Sequence, residues 1–166
     1  MLILITGQRN SGKTACAAFV AKGLAQSGAA PGGVITRAEF SEGKKRFYFV
    51  QSVKTGKEKY LLEVSEEGPQ VDNKGFIFAR RAICSSADCG CILIDEFGAI
   101  EAGGGGFMIA VARIAAHFKG NFVVTARPSL AAAAKKAFGP RAVKILDLAK
   151  TRPEKAARKI LDWLSK

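Results

Sequence analysis

The amino-acid sequence predicts an α/β protein with a mostly parallel, doubly wound sheet and an added β-hairpin. Two observations support this prediction. Short apolar runs typical of buried strands alternate with segments of helical spacing, and one pair of strands has no helix between its members. With 166 residues, 48% hydrophobic and 24% charged, the composition excludes disorder throughout and matches one globular domain, which we expect to span residues 1–166.

Seven segments have the composition of strands. Apolar runs bounded by glycine or polar residues predict strands buried on both faces, and alternation around a Lys-Thr-Gly-Lys turn predicts a hairpin. In chain order the predicted strands are residues 2–6, 34–36, 46–53, 59–64, 91–94, 122–125 and 142–148. The strands 46–53 and 59–64 form the hairpin, which we expect to be an antiparallel addition to the sheet.

Five segments have apolar residues at helical spacing. The predicted helices run from Lys13 to Gly28 and over residues 75–86, 107–118, 129–138 and 153–165. Four consecutive glycines, Gly103–Gly106, precede the third helix, and each would cost about 1 kcal/mol relative to Ala inside a helix. We therefore expect a loop there, either a lid over a site or a linker between strand and helix.

A phosphate-binding motif joins the first strand to the first helix. The pattern G-x-x-x-x-G-K-[ST] is matched by Gly7, Gln8, Arg9, Asn10, Ser11, Gly12, Lys13 and Thr14. In such a P-loop, backbone N–H groups surround a β-phosphate at the positive end of a helix. We expect Lys13 to bridge the β- and γ-phosphates and the Thr14 hydroxyl to reach Mg²⁺. The alternative is a Gly-rich turn with a solvated lysine.

The strand at 91–94 ends in two acids, Asp95 and Glu96, which is the Walker B arrangement. There the first carboxylate orients Mg²⁺ through its water shell, and the second polarises an attacking water. Alone, the pair is equally explained as a cap of the next element. The P-loop earlier in the chain, with the strand at 34–36 between the two motifs, favours the catalytic interpretation. The adjacent glutamate favours hydrolysis over a kinase reaction.

Further segments carry a resemblance to a known family. They are Gly33-Val34-Ile35-Thr36-Arg37-Ala38-Glu39, the hairpin with Gly43 and Arg46, and the run Ile94-Asp95-Glu96-Phe97-Gly98-Ala99-Ile100-Glu101. Together with the P-loop, they resemble the thermophile-type P-loop nucleoside-triphosphatase family, in the same order and over nearly the whole chain.

The resemblance assigns expected roles to individual residues. In the family segment I-D-E-h-G-x-M-E, the matching residues are Asp95, Glu96, Gly98 and Glu101, with Ile100 in place of Met. Arg152 matches the Arg of an N-R pair before the last helix. The hairpin lacks the family's Gly before Phe47, and glycines replace the large residues after Glu101.

The activity that the resemblance implies is Mg²⁺-dependent hydrolysis of ATP or GTP in a P-loop NTPase three-layer sandwich. Lys13 and Glu96 would be the catalytic residues. The metal would lie at Thr14 and Asp95, and Arg152 against the base. Two alternatives stay open: a nucleotide or small-molecule kinase, in which an acceptor hydroxyl replaces the water, and an ATP-switched nucleic-acid-binding module.

The charge balance supports the nucleic-acid alternative. Lys and Arg number 26 against 14 acids, a net charge of +12, and residues 135–166 hold ten basic and three acidic side chains. Such an excess favours a polyanionic partner. A surface that binds single-stranded nucleic acid needs aromatic residues interleaved on a basic face, and these are missing from the pattern.

Arg127 follows the strand at 122–125 and is either a phosphate-sensing residue or a surface arginine.

The N-terminal Met-Leu-Ile-Leu-Ile lacks the cationic region of a signal peptide, and no apolar run approaches the ~20 residues needed to span a bilayer. We therefore expect a cytoplasmic protein without a membrane partner.

In such a protein we expect the four cysteines, Cys16, Cys84, Cys89 and Cys91, to be reduced thiols. The spacing C-x₄-C-x-C fits no zinc-ribbon pattern. Small buried hydrophobic residues are therefore favoured over a metal site.

Overall fold

The structure is a computed structural model that describes residues 1–41 and 44–165. Its strands are β1 (Leu2–Thr6), β2 (Pro31–Ser41), β3 (Lys44–Ser52), β4 (Glu58–Ser65), β5 (Gly68–Val71), β6 (Cys91–Phe97), β7 (Asn121–Ala126) and β8 (Val143–Asp147). They form one sheet in the order β5-β4-β3-β2-β6-β7-β1-β8. Strands β2, β6, β7, β1 and β8 are parallel, and β3, β4 and β5 extend the sheet from β2 in antiparallel pairs.

The predicted α/β class with an antiparallel addition is confirmed. The addition is larger than predicted, because β2 continues to Ser41 and pairs with β3, and β5 adds a further strand to β4. The second half of β2 is polar. Its Arg37 forms salt bridges with Glu39 on the same strand and with Glu58 on β4. Gly43, part of the resemblance in the hairpin, lies outside the described residues.

Helices cover both faces of the sheet. They are α1 (Lys13–Gln26), α2 (Asn73–Cys84), α3 (Ala99–Ala102), α4 (Met108–Ala115), a 3₁₀ turn (Pro128–Leu130), α5 (Ala131–Ala137) and α6 (Pro153–Leu164). Alternate residues of β1 point to opposite faces. Ile3 and Ile5 pack with α1 and α6, whereas Leu2 and Leu4 pack with α2, α4 and α5. The result is three layers with a hydrophobic core on each side of the sheet.

Two predicted helices are longer than the observed ones. The segment 107–118 forms a helix only over Met108–Ala115, and the segment 129–138 begins in the 3₁₀ turn. The one-turn helix α3 was not predicted, and Gly103–Gly106 connects it to α4. No helix of the described residues combines the length and hydropathy needed to cross a bilayer.

The order of the strands determines which loops meet. Strand β7 separates β1 from β6 in the sheet, and β2 lies on the far side of β6. The strand at 34–36 thus lies between the two motifs in the sequence but not in the sheet. Because β1, β6 and β7 are parallel, the loops after all three meet at the same edge, where α/β proteins bind ligands.

The burial predicted from the cysteine spacing is confirmed for Cys89 and Cys91, whereas Cys84 is partly exposed. Cys16, on α1, is also buried. Cys89 precedes β6 instead of belonging to it. Burial raises the pKa of the thiols of Cys16 and Cys91 to about 12. At pH 8 such a thiol is a thiolate in about one molecule in 10⁴, so it is almost unreactive.

We expect a thiol-specific colour reagent at pH 8 to modify Cys84 in the folded protein and the other three cysteines only after unfolding in guanidinium. Reaction of all four at the same rate would contradict the packing. Release of about one zinc per chain during the reaction would show a metal site instead.

Candidate functional site

The backbone of the P-loop is shaped by Gly12, which caps the N-terminus of α1 in the left-handed conformation, with φ of 87°. A Cβ atom there would lie 2.6 Å from Cγ of Pro153, so only glycine fits between loop and α6. The first turn of α1 contains no acidic residue. The positive end of the helix dipole therefore faces the loop without a neutralising side chain.

Two side chains of this loop bear on the binding of an anion. Lys13 Nζ donates hydrogen bonds to the carbonyl oxygens of Gly7 and Gln8, at 2.9 and 2.8 Å, which draws the ammonium group across the loop. Ser11 Oγ is buried and has no hydrogen-bond partner among the described residues. A buried hydroxyl without a partner is costly in a folded protein, and an anion in the loop would satisfy it.

Asp95 connects three strands. Its carboxylate is 1% exposed. Oδ2 accepts hydrogen bonds from the backbone N–H and the hydroxyl of Thr36 on β2, at 3.2 and 2.7 Å. Oδ1 accepts one from the hydroxyl of Thr125 on β7, at 2.6 Å. These partners are neutral groups, so they orient the carboxylate but leave its negative charge for a cation.

Glu96 lies in a bulge of β6. The register with β7 shifts between Ile94 and Phe97, and Glu96 has a φ of 70°, in the left-handed region that a residue with a Cβ rarely adopts. Its backbone N–H donates to Thr125 Oγ1 at 2.9 Å. In a regular strand, consecutive side chains point to opposite faces. The bulge instead brings the carboxylates of Asp95 and Glu96 into one cleft. Such strain is typical of functional sites.

The cleft has a volume of about 390 Å³. The predicted site residues that line it are Arg9, Asn10, Ser11, Gly12, Lys13, Thr14, Asp95 and Glu96. Gly7 and Gln8 are not among the lining residues, but their carbonyl oxygens accept the hydrogen bonds of Lys13. Tyr48 and Thr125 also line the cleft, although the sequence did not predict them as site residues. Thr36 was not predicted either, and its hydroxyl donates a hydrogen bond to Asp95.

The two arginines singled out by the sequence differ in position. Arg127 follows β7 and lines the cleft together with Lys13 and Glu96, and its phosphate-sensing role stays a prediction. Arg152 does not line the cleft. It is the exposed N-cap of α6, next to the Pro153 ring that packs on Gly12, so it flanks the outer side of the P-loop.

Glu101, on the one-turn helix α3 that follows β6, carries a buried carboxylate. It accepts hydrogen bonds from the backbone N–H groups of Gly98, at 3.1 Å, and Phe107. Burial raises the pKa of Glu101 above its usual value, against these hydrogen bonds. Gly106 has a φ of 58°, and a Cβ there would lie 2.0 Å from Glu101 Oε1. The last glycine of the run thus lets the chain close around Glu101.

The donor groups in the cleft fit Mg²⁺. This ion prefers hard oxygen ligands, which the Thr14 hydroxyl and the Asp95 carboxylate provide on the same cleft. Among the described residues, no group of three or more His, Cys, Asp or Glu side chains could hold a metal ion by itself. A magnesium ion here would therefore share its coordination with phosphate oxygens and water, as in other phosphate sites.

The basic segment 135–166 does not form one surface in its described part, which ends at residue 165. Helices α5 and α6 lie on opposite faces of the sheet. Arg141 is used internally, because its guanidinium donates to the carbonyl oxygens of Ala115, Phe118 and Gly120. Lys144 and Lys159 pack against the ring of Trp163. Nucleic-acid binding stays a prediction from the charge alone.

Comparison with known proteins identifies the family. The model of the NTPase family matches residues 2–161. The chain belongs to the NTPase family. It is therefore an enzyme, a nucleoside-triphosphate phosphohydrolase, as the sequence predicted. The Nucleoside-triphosphatase THEP1 of Methanosarcina barkeri is 32% identical over 116 residues, which cover 66% of this chain and 67% of the relative.

Two solved structures share the fold. A human cancer-related nucleoside triphosphatase superposes with a TM-score of 0.74 at 20% identity, over 97% of this chain and 95% of its own. THEP1 from the hyperthermophile Aquifex aeolicus superposes with a TM-score of 0.70 at 22% identity, over the whole of both chains. These likenesses confirm the predicted three-layer P-loop NTPase fold.

Proposed function

We propose that the protein hydrolyses ATP or GTP to the nucleoside diphosphate and phosphate in a Mg²⁺-dependent reaction at the cleft. The observation that carries this proposal is the convergence of Lys13, Asp95 and Glu96 on one cleft beside the P-loop. Three cationic side chains, Arg9, Lys13 and Arg127, line the same cleft as these two carboxylates. This balance suits a triphosphate, because positive charge surrounds the phosphates while carboxylates remain for metal and water.

Each residue has a distinct role in this proposal. Backbone N–H groups of the P-loop and the end of α1 hold the phosphates, and Ser11 Oγ donates to one of their oxygens. Lys13 exchanges its two carbonyl partners for the β- and γ-phosphates. Bound Mg²⁺, held by Thr14 and Asp95, would neutralise charge on the phosphate oxygens. Arg152, at the outer side of the loop, would lie against the base.

Glu96 positions and polarises the water that attacks the γ-phosphate. Its carboxylate accepts a hydrogen bond from the attacking water and holds that water in line with the γ-phosphate. The water oxygen forms a bond to phosphorus as the bond to the β–γ bridging oxygen breaks, and the electron pair leaves with the nucleoside diphosphate. The proton that the water loses passes to the Glu96 carboxylate and from there to the released phosphate. The bulge fixes the direction of Glu96, and Thr125 holds its backbone.

The direct test measures phosphate release from ATP, GTP, CTP and UTP, each with Mg²⁺ and with a chelator. We expect release that requires Mg²⁺ and is fastest with ATP or GTP. Equal rates in the chelator would contradict the proposed metal dependence, and a faster reaction with CTP or UTP would contradict the proposed substrates.

Lys13→Ala is expected to weaken nucleotide binding by roughly 10- to 100-fold, the value of charge-assisted contacts to phosphate. The fold should be kept, because the hydrogen bonds of Lys13 Nζ at 2.9 and 2.8 Å go to carbonyl oxygens of its own loop and not to another element. A titration with a fluorescent nucleotide measures the affinity. Lys22→Ala is the matched control, since Lys22 is exposed on the same helix. Equal affinities of the two variants would contradict the role of Lys13.

A further inference from the structure

A second cavity opens beside the cleft, on the side of Glu96. This apolar chamber has a volume of about 330 Å³. Its walls are formed by Tyr48, Leu61, Leu62, Phe76, Ile100 and Phe107. The size is at the lower end of small-molecule sites, and the lining is of the apolar kind that such sites have. In the proposed reaction the phosphates lie in the P-loop and the base lies against Arg152, which does not line the chamber. The reactant left at Glu96 is water, which needs neither this volume nor an apolar wall.

The chamber is built from parts of the core. Leu61, Phe76 and Phe107 are 5%, 5% and 2% exposed. Helix α2 packs on β4 through Gly75, where a Cβ would lie 2.2 Å from the carbonyl oxygen of Tyr60. Glu101 holds the opposite wall by binding the N–H groups of Gly98 and Phe107. The walls are therefore fixed by packing and hydrogen bonds, and the chamber is preformed.

The chamber and the cleft share four residues: Arg9, Tyr48, Glu96 and Arg127. These groups can accept and donate hydrogen bonds at the boundary of a chamber whose other lining residues, apart from Thr36 and Glu101, are apolar. A hydroxyl group both donates and accepts, so it matches a carboxylate next to guanidinium groups. A molecule in the chamber would place this hydroxyl at Glu96, where the attacking water is bound in the proposed reaction.

We propose that the apolar chamber is a second ligand site, for a small phenol or alcohol with an apolar ring body, and that its occupancy slows hydrolysis by excluding the attacking water. The effect on hydrolysis rests on the proposed function, whereas binding to the chamber does not. Because the ligand leaves the P-loop free, it should lower kcat with little change in the KM for the nucleotide.

The experiment uses 2-naphthol as the probe. Its binding to the nucleotide-free protein is measured by ligand-observed NMR, where we expect a Kd on the order of 1 mM for a ligand of this size. Phosphate release is then measured over a range of ATP concentrations with and without the probe. We expect kcat to fall by about twofold or more near the Kd and KM to change by less than that.

Two variants locate the effect. Ile100→Asp places a charge at the chamber. Ile109→Asp makes the same change on α4, at an isoleucine that is 50% exposed, against 40% for Ile100, and that does not line the chamber. Ile100→Asp should weaken probe binding about fivefold or more, and Ile109→Asp should leave it unchanged. For each variant, the rate of phosphate release with 2-naphthol is compared with the rate of the same variant without it.

Absence of binding, equal binding by both variants, or inhibition that excess ATP removes would each overturn the proposal. If the wild-type protein failed to turn over any nucleotide, the proposed function would fail, and the NMR comparison would still decide whether the chamber binds the probe.

Discussion

Glu96→Gln is expected to lower steady-state phosphate release by about 100-fold or more, while nucleotide affinity stays similar or rises. The amide keeps the size of the side chain and one hydrogen bond but loses the negative charge that polarises the water. The phosphates do not depend on Glu96 for binding, and removal of a carboxylate reduces repulsion near the γ-phosphate. Phosphate release at saturating nucleotide and a binding titration together measure the two effects.

The matched control is Glu39→Gln. Glu39 is an exposed glutamate on β2 that pairs with Arg37, and such surface pairs contribute little to stability. Its variant should retain the parental rate. If Glu96→Gln also hydrolyses at that rate, Glu96 does not activate the water and the proposed mechanism fails. If both rates fall together, the loss comes from a general change of charge or fold.

Local patterns made much of the fold predictable. The strand at 2–6 is observed as predicted. Four consecutive apolar residues followed by Thr6 and Gly7 are typical of a short strand buried on both faces. The P-loop and α1 follow from the same reasoning, since Gly12 and Lys13 mark the start of the helix. These elements depend on residues that are neighbours in the chain, so the sequence shows them directly.

Elements that depend on distant partners were harder to predict. The second half of β2 contains Arg37 and Glu39, which are unusual in an isolated strand pattern. They are stabilised there by pairing with β3 and by the contact of Arg37 with Glu58. No local signal shows that partner. The same reason explains β5, a short and mostly exposed strand that exists by pairing with β4.

The site illustrates the same limit. The sequence predicted that Asp95 and Glu96 act at one site after the strand 91–94, but it did not predict the bulge within β6 that turns both toward one cleft. A signal for the groups around Asp95 was present in the sequence, because the predicted strands 34–36 and 122–125 both end in threonine. Their meaning depends on the sheet order, in which β2 and β7 flank β6. That order was not predicted.

Asp95→Asn should weaken Mg²⁺ binding and also lower the stability of the fold, which distinguishes it from Glu96→Gln. The carboxylate accepts three hydrogen bonds, and an amide NH₂ cannot accept the one from Thr125. Loss of this bond should cost about 1 kcal/mol, a decrease of roughly 2–4 °C in Tm. The larger effect is on Mg²⁺, because the neutral side chain no longer attracts the ion.

The decisive measurement is nucleotide affinity with Mg²⁺ and with a chelator. The parental protein should bind more tightly with Mg²⁺, and Asp95→Asn should lose most of this difference and roughly 100-fold in turnover. Glu96→Gln should keep the difference, because Glu96 acts on the water and not on the ion. Asp162→Asn, at an exposed position of α6, controls for the change of charge. An unchanged Mg²⁺ dependence in Asp95→Asn would show that the ion is held elsewhere, and Asp95 would then serve only to join β2, β6 and β7.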